Sequence, residues 1–497
     1  MASLLPLFVA IPLLSAAVLI IFPGITFLSR ALILLVPSFS LIYSVLLLNE
    51  HRSTPVIAEQ IGGWPAGIAI PFVSDTFTAL MLCTTSLLIL ACNYFSIASK
   101  DAEERYFAPL VLILSAGVAG ALLTADLFNL FVFIELMFLP SCGLFIMRKG
   151  LKKLESPRLY VSVNLLTSAI LVIGIALVYA TTGTINIASL AGAATESTLT
   201  AAAVGVIFIA LSIKAALLPM HGWLARTYPA TSPVVSALFS GLHTKVAVYA
   251  LYRLYAVIFD GTDRYLWFFT LLFAATMVTG AFGALGETTT RSILAFHMVS
   301  QIGYIMMGVA LFGPLGLTAG IFYLIHHMIV KASLFLSVGA IEETYGTGRL
   351  SKLSGIAKSD PVVAVGFFCA ALSLTGIPPF SGFIAKFTLL SAAIEKDNMV
   401  ATVSIVAVSI ITLVSMLKIW STVFWTRQEA HEEVDQRSVD ADTITRVRIS
   451  KSLLAPGLIL ALVSLILGIN ADLLLGFAER AADSLINTEL YIKAVLP

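Results

Sequence analysis

Six ionisable side chains sit inside stretches that otherwise read as lipid-spanning: Glu135, Lys214, Lys245, Lys331, Lys386 and Lys418. An ionised group at the centre of a bilayer costs roughly 3 kcal/mol on insertion scales, so five or six would cost ~15 kcal/mol if nothing compensated them. They must face water, one another or a moving ion. Lysine and glutamate suit proton transfer, because burial and neighbouring charge can move their pKa values into a useful range, whereas arginine stays protonated.

Each position has its own expected role. Glu135 stands in Leu130-Phe-Val-Phe-Ile-Glu135-Leu-Met-Phe-Leu-Pro140 with no other acid near it. It needs a cationic partner, and Lys214, five residues before Pro219, is the expected one. Such a pair would either fix two helices together or act as a protonation switch. Lys245 is central in its run. His243, about 200° away around a helix, cannot line the same path and reads equally as a hydrogen-bonded packing residue. His327 and Lys331 are four apart and share a helix face, which suits a proton relay better than a metal, since an ammonium repels a cation. His326 is expected to point elsewhere. His297, Ser300, Gln301 and Tyr304 form a polar stripe at i, i+3, i+4 and i+7, either a water file or a set of interhelical hydrogen bonds. Lys386 follows a proline break and is the expected exit group. Lys418 lies near Trp420 and Arg427, and is expected to snorkel to the cytoplasmic headgroups, outside the path.

The elements that must position these groups are membrane helices. Hydrophobic residues make up 59% of the chain and charged residues 11%, against about a quarter charged in soluble domains; the mean hydropathy is +0.99. A net charge of +1 gives nucleic acid nothing to bind. The four cysteines lie in apolar runs with no CxxC or Cys/His cluster, so neither a metal site nor a disulfide is expected. Residues 3–22 lack the basic residues that precede a secretory signal and read as a retained first span.

Fourteen apolar runs, from 3–22 to 453–474, are about the length needed to cross a bilayer. Residues 475–493 are expected as an amphipathic tail at the interface. Loops after odd-numbered spans hold 18 of the 29 Lys and Arg residues, Arg291 among them, and loops after even spans with the tail hold 6, Arg253 among them. Odd loops are therefore expected in the cytoplasm and both termini outside. The longest loop, about 427–452, is expected as a cytoplasmic connector.

The seventh span, 201–224, and the twelfth, 361–394, carry internal breaks at Pro219 and at Pro378-Pro379. Pro219-Met-His-Gly-Trp-Leu-Ala-Arg226 matches Pro379-Phe-Ser-Gly-Phe-Ile-Ala-Lys386 at an offset of 160 residues. Five spans separate the two, and an odd number inverts the topology, so an all-α membrane fold with two inverted five-helix repeats is expected. The divisions are N-terminal helices (1–106), a first repeat (107–258), a second repeat (259–426), and the connector with helix 14 and tail (427–497).

Phe133-Ile-Glu135-Leu-Met, Lys214-Ala-Ala-Leu-Leu-Pro219-Met-His-Gly-Trp223 with Ser232-Pro-Val-Val-Ser-Ala-Leu238, His327-Met-Ile-Val-Lys331 and Thr375-Gly-Ile-Pro-Pro-Phe-Ser-Gly-Phe383 resemble the signatures of the antiporter-like subunits. That family is shared by respiratory complex I, membrane-bound hydrogenases and Mrp-type multisubunit sodium/proton antiporters. The likeness runs over roughly residues 70–425. Chain length, fourteen spans and lysine rather than glutamate at 386 place it nearest the D-type branch of the Mrp antiporters. The resemblance implies a midplane pathway: Glu135 and Lys214 in the first half-channel, Lys245 at the centre, His327 and Lys331 in the second half, Lys386 at the exit. It implies exchange of external protons for cytoplasmic sodium in a bacterial plasma membrane, with small hydrophobic subunits and a larger A-type homologue as partners. No nucleotide, flavin or quinone motif is present, so no cofactor is expected. The alternatives are a proton-pumping subunit of a complex I or hydrogenase assembly, a stand-alone secondary transporter, and a scaffold with vestigial charges.

Overall fold

The computed structural model describes residues 2–65, 68–147, 155–425 and 448–496. Helices dominate. The sheet is one antiparallel hairpin, β1 (Val56–Gln60) with β2 (Pro71–Asp75), pairing Val56 with Asp75 and Gln60 with Pro71. Three helices come first: α1 (Leu7–Ile21), α2 (Thr26–Glu50) and α3 (Thr76–Ser99). Next come α4 (Phe107–Leu123), α5 (Leu127–Ile146), α6 (Glu155–Thr182), the short α7 (Ala193–Glu196), α8 (Thr198–Lys214), α9 (Gly222–Thr227) and α10 (Pro233–Ile258). They are followed by α11 (Leu266–Gly286), α12 (Thr290–Ala310), α13 (Pro314–Tyr345), the short α14 (Ile356–Ser359), α15 (Pro361–Thr375), α16 (Ser381–Glu395) and α17 (Met399–Ile419). The chain closes with α18 (Lys451–Ile469), α19 (Ala471–Ile486) and α20 (Thr488–Val495).

Eleven described helices are long and apolar enough to cross a membrane, and α4, α8 and α15 are shorter apolar helices at the places of spans 4, 7 and 12. Together they supply the fourteen spans. Side-chain caps start several of them: Asp75 accepts from Thr78 N at 2.9 Å, Asp126 from Asn129 N at 2.7 Å and Asn398 from Ala401 N at 3.0 Å. Spans 7 and 12 are both broken, as α8/α9 and α15/α16. The order α4, α5, α6, α8/α9, α10 is repeated by α11, α12, α13, α15/α16, α17, five spans later and so inverted. Gly376, with φ +88°, ends α15 in a backbone conformation that a residue with a Cβ rarely adopts. Both breaks contain a cis peptide, Leu218–Pro219 and Pro378–Pro379.

The core is built around α10 and α13, the two helices whose apolar stretches are buried on every side. They pack on each other, with α12 and α3 around them. Helices such as α1, α6 and α17 leave much of their apolar surface outward, as lipid-facing helices do.

Two expectations about charge are corrected. Arg253 is not in an external loop. It is 4% exposed on α10, where its Nη2 lies 2.6 Å from Asp75 Oδ2. Arg291 is likewise 5% exposed on α12 and forks onto Glu342 of α13 through two bonds of 2.6 Å. A loop count places such residues by spacing alone and cannot see a carboxylate from another helix. The expected amphipathic tail is present as α19 and α20. The face of α19 formed by Leu474, Ala478, Ala481 and Leu485 packs on α13 and α3, and Val495 O accepts from Gln60 Nε2 at 2.9 Å beside the hairpin. The expected connector falls largely on 426–447, outside the described residues.

Candidate ion-translocation site

The first break shows how irregular backbone is sustained at membrane depth, where every freed polar group must find a protein or water partner. α8 ends at Lys214, and the chain turns before α9 begins at Gly222. The Ile213 carbonyl accepts from Trp223 Nε1 at 2.9 Å in addition to Ala216 N at 3.0 Å, and Leu218 N donates to Thr276 Oγ1 of α11 at 3.1 Å. The second break uses a different donor. Phe383 stands where Trp223 does and has no N–H. Lys386 folds back instead, and its Nζ donates to Thr375 O at 2.8 Å, with Nζ 5.2 Å from the Tyr304 ring centroid. Arg226, which occupies the matching place in the first repeat, is exposed.

Glu135 and Lys214 do not make the expected direct ion pair. Lys214 Nζ donates to Asn164 Oδ1 at 3.2 Å, and Ser168 Oγ donates to Glu135 Oε1. Asn164 and Ser168 are four apart on one face of α6. That face carries both partners, and Glu135 lies within electrostatic reach of the ammonium.

At the centre, Lys245, His327 and Lys331 are all 0% exposed. Lys245 Nζ donates to Thr244 Oγ1 at 2.9 Å and Lys331 Nζ to Leu294 O at 3.0 Å. Neither ring nitrogen of His327 has a hydrogen-bond partner, and Lys245, Lys331, His326 and His297 surround it with ionisable groups. Helices α10 and α13 thus bring the central lysine and the second-half pair together. His243 stays apart from them: its Nε2 is 2.7 Å from Ser141 Oγ, and its ring meets Phe239 edge-on at 4.8 Å.

The polar stripe of α12 reaches three neighbouring helices. His297 Nε2 is 2.7 Å from Ser415 Oγ, Ser300 Oγ donates to Met277 O at 2.9 Å, and Gln301 Oε1 accepts from Tyr323 OH. Tyr304 OH donates to Ile405 O at 2.8 Å. Interhelical bonding therefore uses one end of each side chain. His297 Nδ1 and Gln301 Nε2 remain buried without a protein partner. Lys418 does not snorkel. Its Nζ donates to Leu285 O and Glu287 O, both at 2.7 Å, and so closes the C-terminal end of α11.

The sequence model of the NADH:quinone oxidoreductase/Mrp antiporter transmembrane family matches residues 124–412, the stretch that holds Glu135, Lys214, Lys245, His327, Lys331 and Lys386. The chain belongs to this antiporter family. The D-type subunit of the Na(+)/H(+) antiporter of Alkalihalophilus pseudofirmus is 35% identical to it over 92% of each chain, and that of Bacillus subtilis 32% over 98% of each. Among solved structures, a chain in the Mrp complex from Dietzia sp. is 50% identical, covers 100% of this chain and 99% of its own, and superposes with a TM-score of 0.95. A chain of an archaeal membrane-bound sulfane sulfur reductase shares the fold, with a TM-score of 0.89 over all of both chains, at 22% identity. These likenesses support a component of a cation/proton antiporter, a transporter with many membrane spans.

Several polar residues of the antiporter core escape a reading by residue type. Asn164 and Ser168 lie in an apolar run and signal themselves only by their i, i+4 spacing. His326 faces the second break, with Nδ1 2.8 Å from Ser381 Oγ. A helix-face argument assumes one buried face, and α13 has no other kind.

Proposed function

We propose that the chain is an ion-translocating subunit of a multisubunit cation/proton antiporter, exchanging external protons for cytoplasmic sodium. Protons move along the bilayer midplane through Glu135, Lys214, Lys245, His327, Lys331 and Lys386. The observation that carries this reading is the run of buried ionisable groups between two helix breaks, joined at the centre by Lys245, His327 and Lys331 on the two fully buried helices. Pure packing would not keep four lysines and a glutamate at this depth. The unpartnered nitrogens of His297, Gln301 and His327 supply the polar lining that a file of internal water needs. In this reading 107–258 and 259–426 act as two half-channels, 1–106 and 427–497 brace them, and Pro219, Pro378 and Pro379 open the ladder where water must enter. The position is the bacterial plasma membrane with both termini outside. The partners are small hydrophobic subunits and a larger A-type homologue, by analogy with the Mrp complex that the chain matches over its whole length.

The test is purification of the intact complex, identification of its subunits by mass, and sodium-driven proton movement in proteoliposomes followed with a pH dye. Iron–sulfur subunits in the purified complex would instead indicate a redox-driven pump. Transport by the chain alone would indicate a stand-alone carrier.

A further inference from the structure

Helix α13 carries adjacent histidines, and the pathway above uses only His327. His326 lies against the second break, and three helices converge on it. Its Nδ1 is 2.8 Å from Ser381 Oγ of α16. Ser381 Oγ is 2.9 Å from Ser464 Oγ of α18, which is 2.8 Å from Ser373 Oγ of α15. The third side of this hydroxyl triangle, Ser373 to Ser381, is 3.5 Å. All four residues are at most 1% exposed. Hydroxyl hydrogens rotate, so the chain of three can donate to Nδ1 or accept from it. It therefore accommodates a neutral ring and an imidazolium equally well.

The other nitrogen, Nε2, has no partner. A Cβ built at Gly382 would collide with the Ser373 carbonyl and stand 3.0 Å from His326 Cε1, the ring carbon between Nδ1 and Nε2. Gly382 is one helical turn before Lys386 on the same face of α16. The lysine stem runs along that face, its Cδ 2.7 Å from where a Cβ of Gly376 would lie. The imidazole thus borders Gly382, and the lysine stem borders Gly376, whose Cβ would also lie 3.4 Å from Gly382 O. Lys386 lies within electrostatic reach of His326. Around it, α12 presents His297 and Tyr304, α13 itself Tyr323 and His327, and α15 and α18 present Ser373 and Ser464.

We propose that His326 is the group with which Lys386 exchanges its proton, held in place by the Ser373–Ser381–Ser464 triangle, so that the second half-channel ends on a Lys386–His326 pair. The inference rests on the antiporter function proposed above. In the step, an N–H bond of the Lys386 ammonium breaks and leaves its electron pair on Nζ. The proton bonds to the lone pair of His326 Nε2, directly or through one water, and the imidazolium donates from Nδ1 to Ser381 Oγ. The reverse step restores both groups. Ser464 is a positioning residue, acting through Ser381.

The test uses the whole complex in proteoliposomes. His326→Asn keeps a hydrogen-bonding atom for Ser381 but cannot hold the proton. At normal complex abundance its exchange rate is expected to fall about tenfold or more, with the sodium KM unchanged. Ser464→Ala is expected to change the shape of the pH profile of exchange, and Ser464→Thr to restore it. A wild-type rate and pH profile in His326→Asn, beside an inactive Lys386→Ala, would overturn the pair and leave the wider function standing. Wild-type exchange in Lys386→Ala would overturn that function itself. If His326→Asn fails to assemble, the Ser464 variants decide, and a wild-type pH profile in Ser464→Ala overturns the proposal.

Discussion

A carboxylate held by a hydroxyl and an ammonium held by an amide, one turn apart on α6, form a looser arrangement than a salt bridge. A closed Glu135–Lys214 pair in a low-dielectric interior would fix the ammonium in its charged state. Asn164 is neutral and binds Lys214 without doing so. Lys214→Arg should therefore fail nearly as badly as Lys214→Ala, because arginine keeps the charge but cannot release a proton. Proteoliposome exchange measures it, and substantial activity in the arginine variant would make Lys214 a structural cation. Glu135→Gln keeps an acceptor for Ser168 and loses only the charge. It should leave complex abundance unchanged and lower exchange by about tenfold or more; normal exchange would remove Glu135 from the path. At this scale the ionisable members were legible in the sequence, because the cost of a charge in lipid does not depend on the fold. Their partners were not. Serines and asparagines are common in membrane helices, and only the folded packing distinguishes Ser168 on Glu135 from a serine bonded to its own helix.

At the scale of elements, the two breaks solve one problem with different residues. Trp223 adds an indole N–H to the Ile213 carbonyl of α8, whereas Lys386 caps the Thr375 carbonyl of α15 with an ammonium. The repeat was readable from the P-x-x-G-aromatic pattern, and so was the existence of fourteen spans, since hydrocarbon thickness sets their length. The choice of cap was not readable, because it depends on which long side chain folds back. Trp223→Phe should destabilise the complex by about 0.5–1.5 kcal/mol, the net worth of one hydrogen bond, since Ala216 N still donates to the Ile213 carbonyl. Thermal unfolding in detergent would show it, and an unchanged midpoint would mean that the Ala216 N–H alone satisfies the carbonyl. Lys418 illustrates the opposite error. Spacing near a helix end suggested snorkelling, but its Nζ holds the last carbonyls of α11. Lys418→Ala should lower stability by roughly 1.5–3 kcal/mol, as for hydrogen bonds to a charged group. Exchange per assembled complex should stay near wild type. Lost exchange at normal abundance would place Lys418 on the ion path.

For the whole molecule, the inverted halves meet on α10 and α13, and the C-terminal helices lock one end of that core. The lock is polar. Asp75, the cap of α3 just before the span begins, receives Arg253 of α10 at 2.6 Å and Ser484 of α19 at 3.3 Å, while the Arg253 guanidinium lies 5.1 Å from the Tyr491 ring of α20. Sequence alone shows an external arginine and an acid about 180 residues apart. It cannot show that they meet, because long-range contact is a property of the packed bundle. Burial works against charge on Asp75, but the Arg253 guanidinium and the Thr78 N–H outweigh it and hold the carboxyl below its usual range. A carboxyl depressed in the folded state stabilises fully above its unfolded value, about pH 3.9, and loses that stabilisation as pH falls through the lower folded value. At neutral and alkaline pH the lock is therefore complete. Asp75→Asn breaks it at every pH and leaves Arg253 buried without its counter-charge, a loss of about 3–5 kcal/mol. Amide hydrogen exchange over 471–495 should then be fast at pH 7 in Asp75→Asn and slow in the wild-type protein, which should loosen only in acid. Equal protection of α19 and α20 in both proteins would show that their apolar face alone holds them, and that the ion pair serves α3 and α10 without reaching the tail.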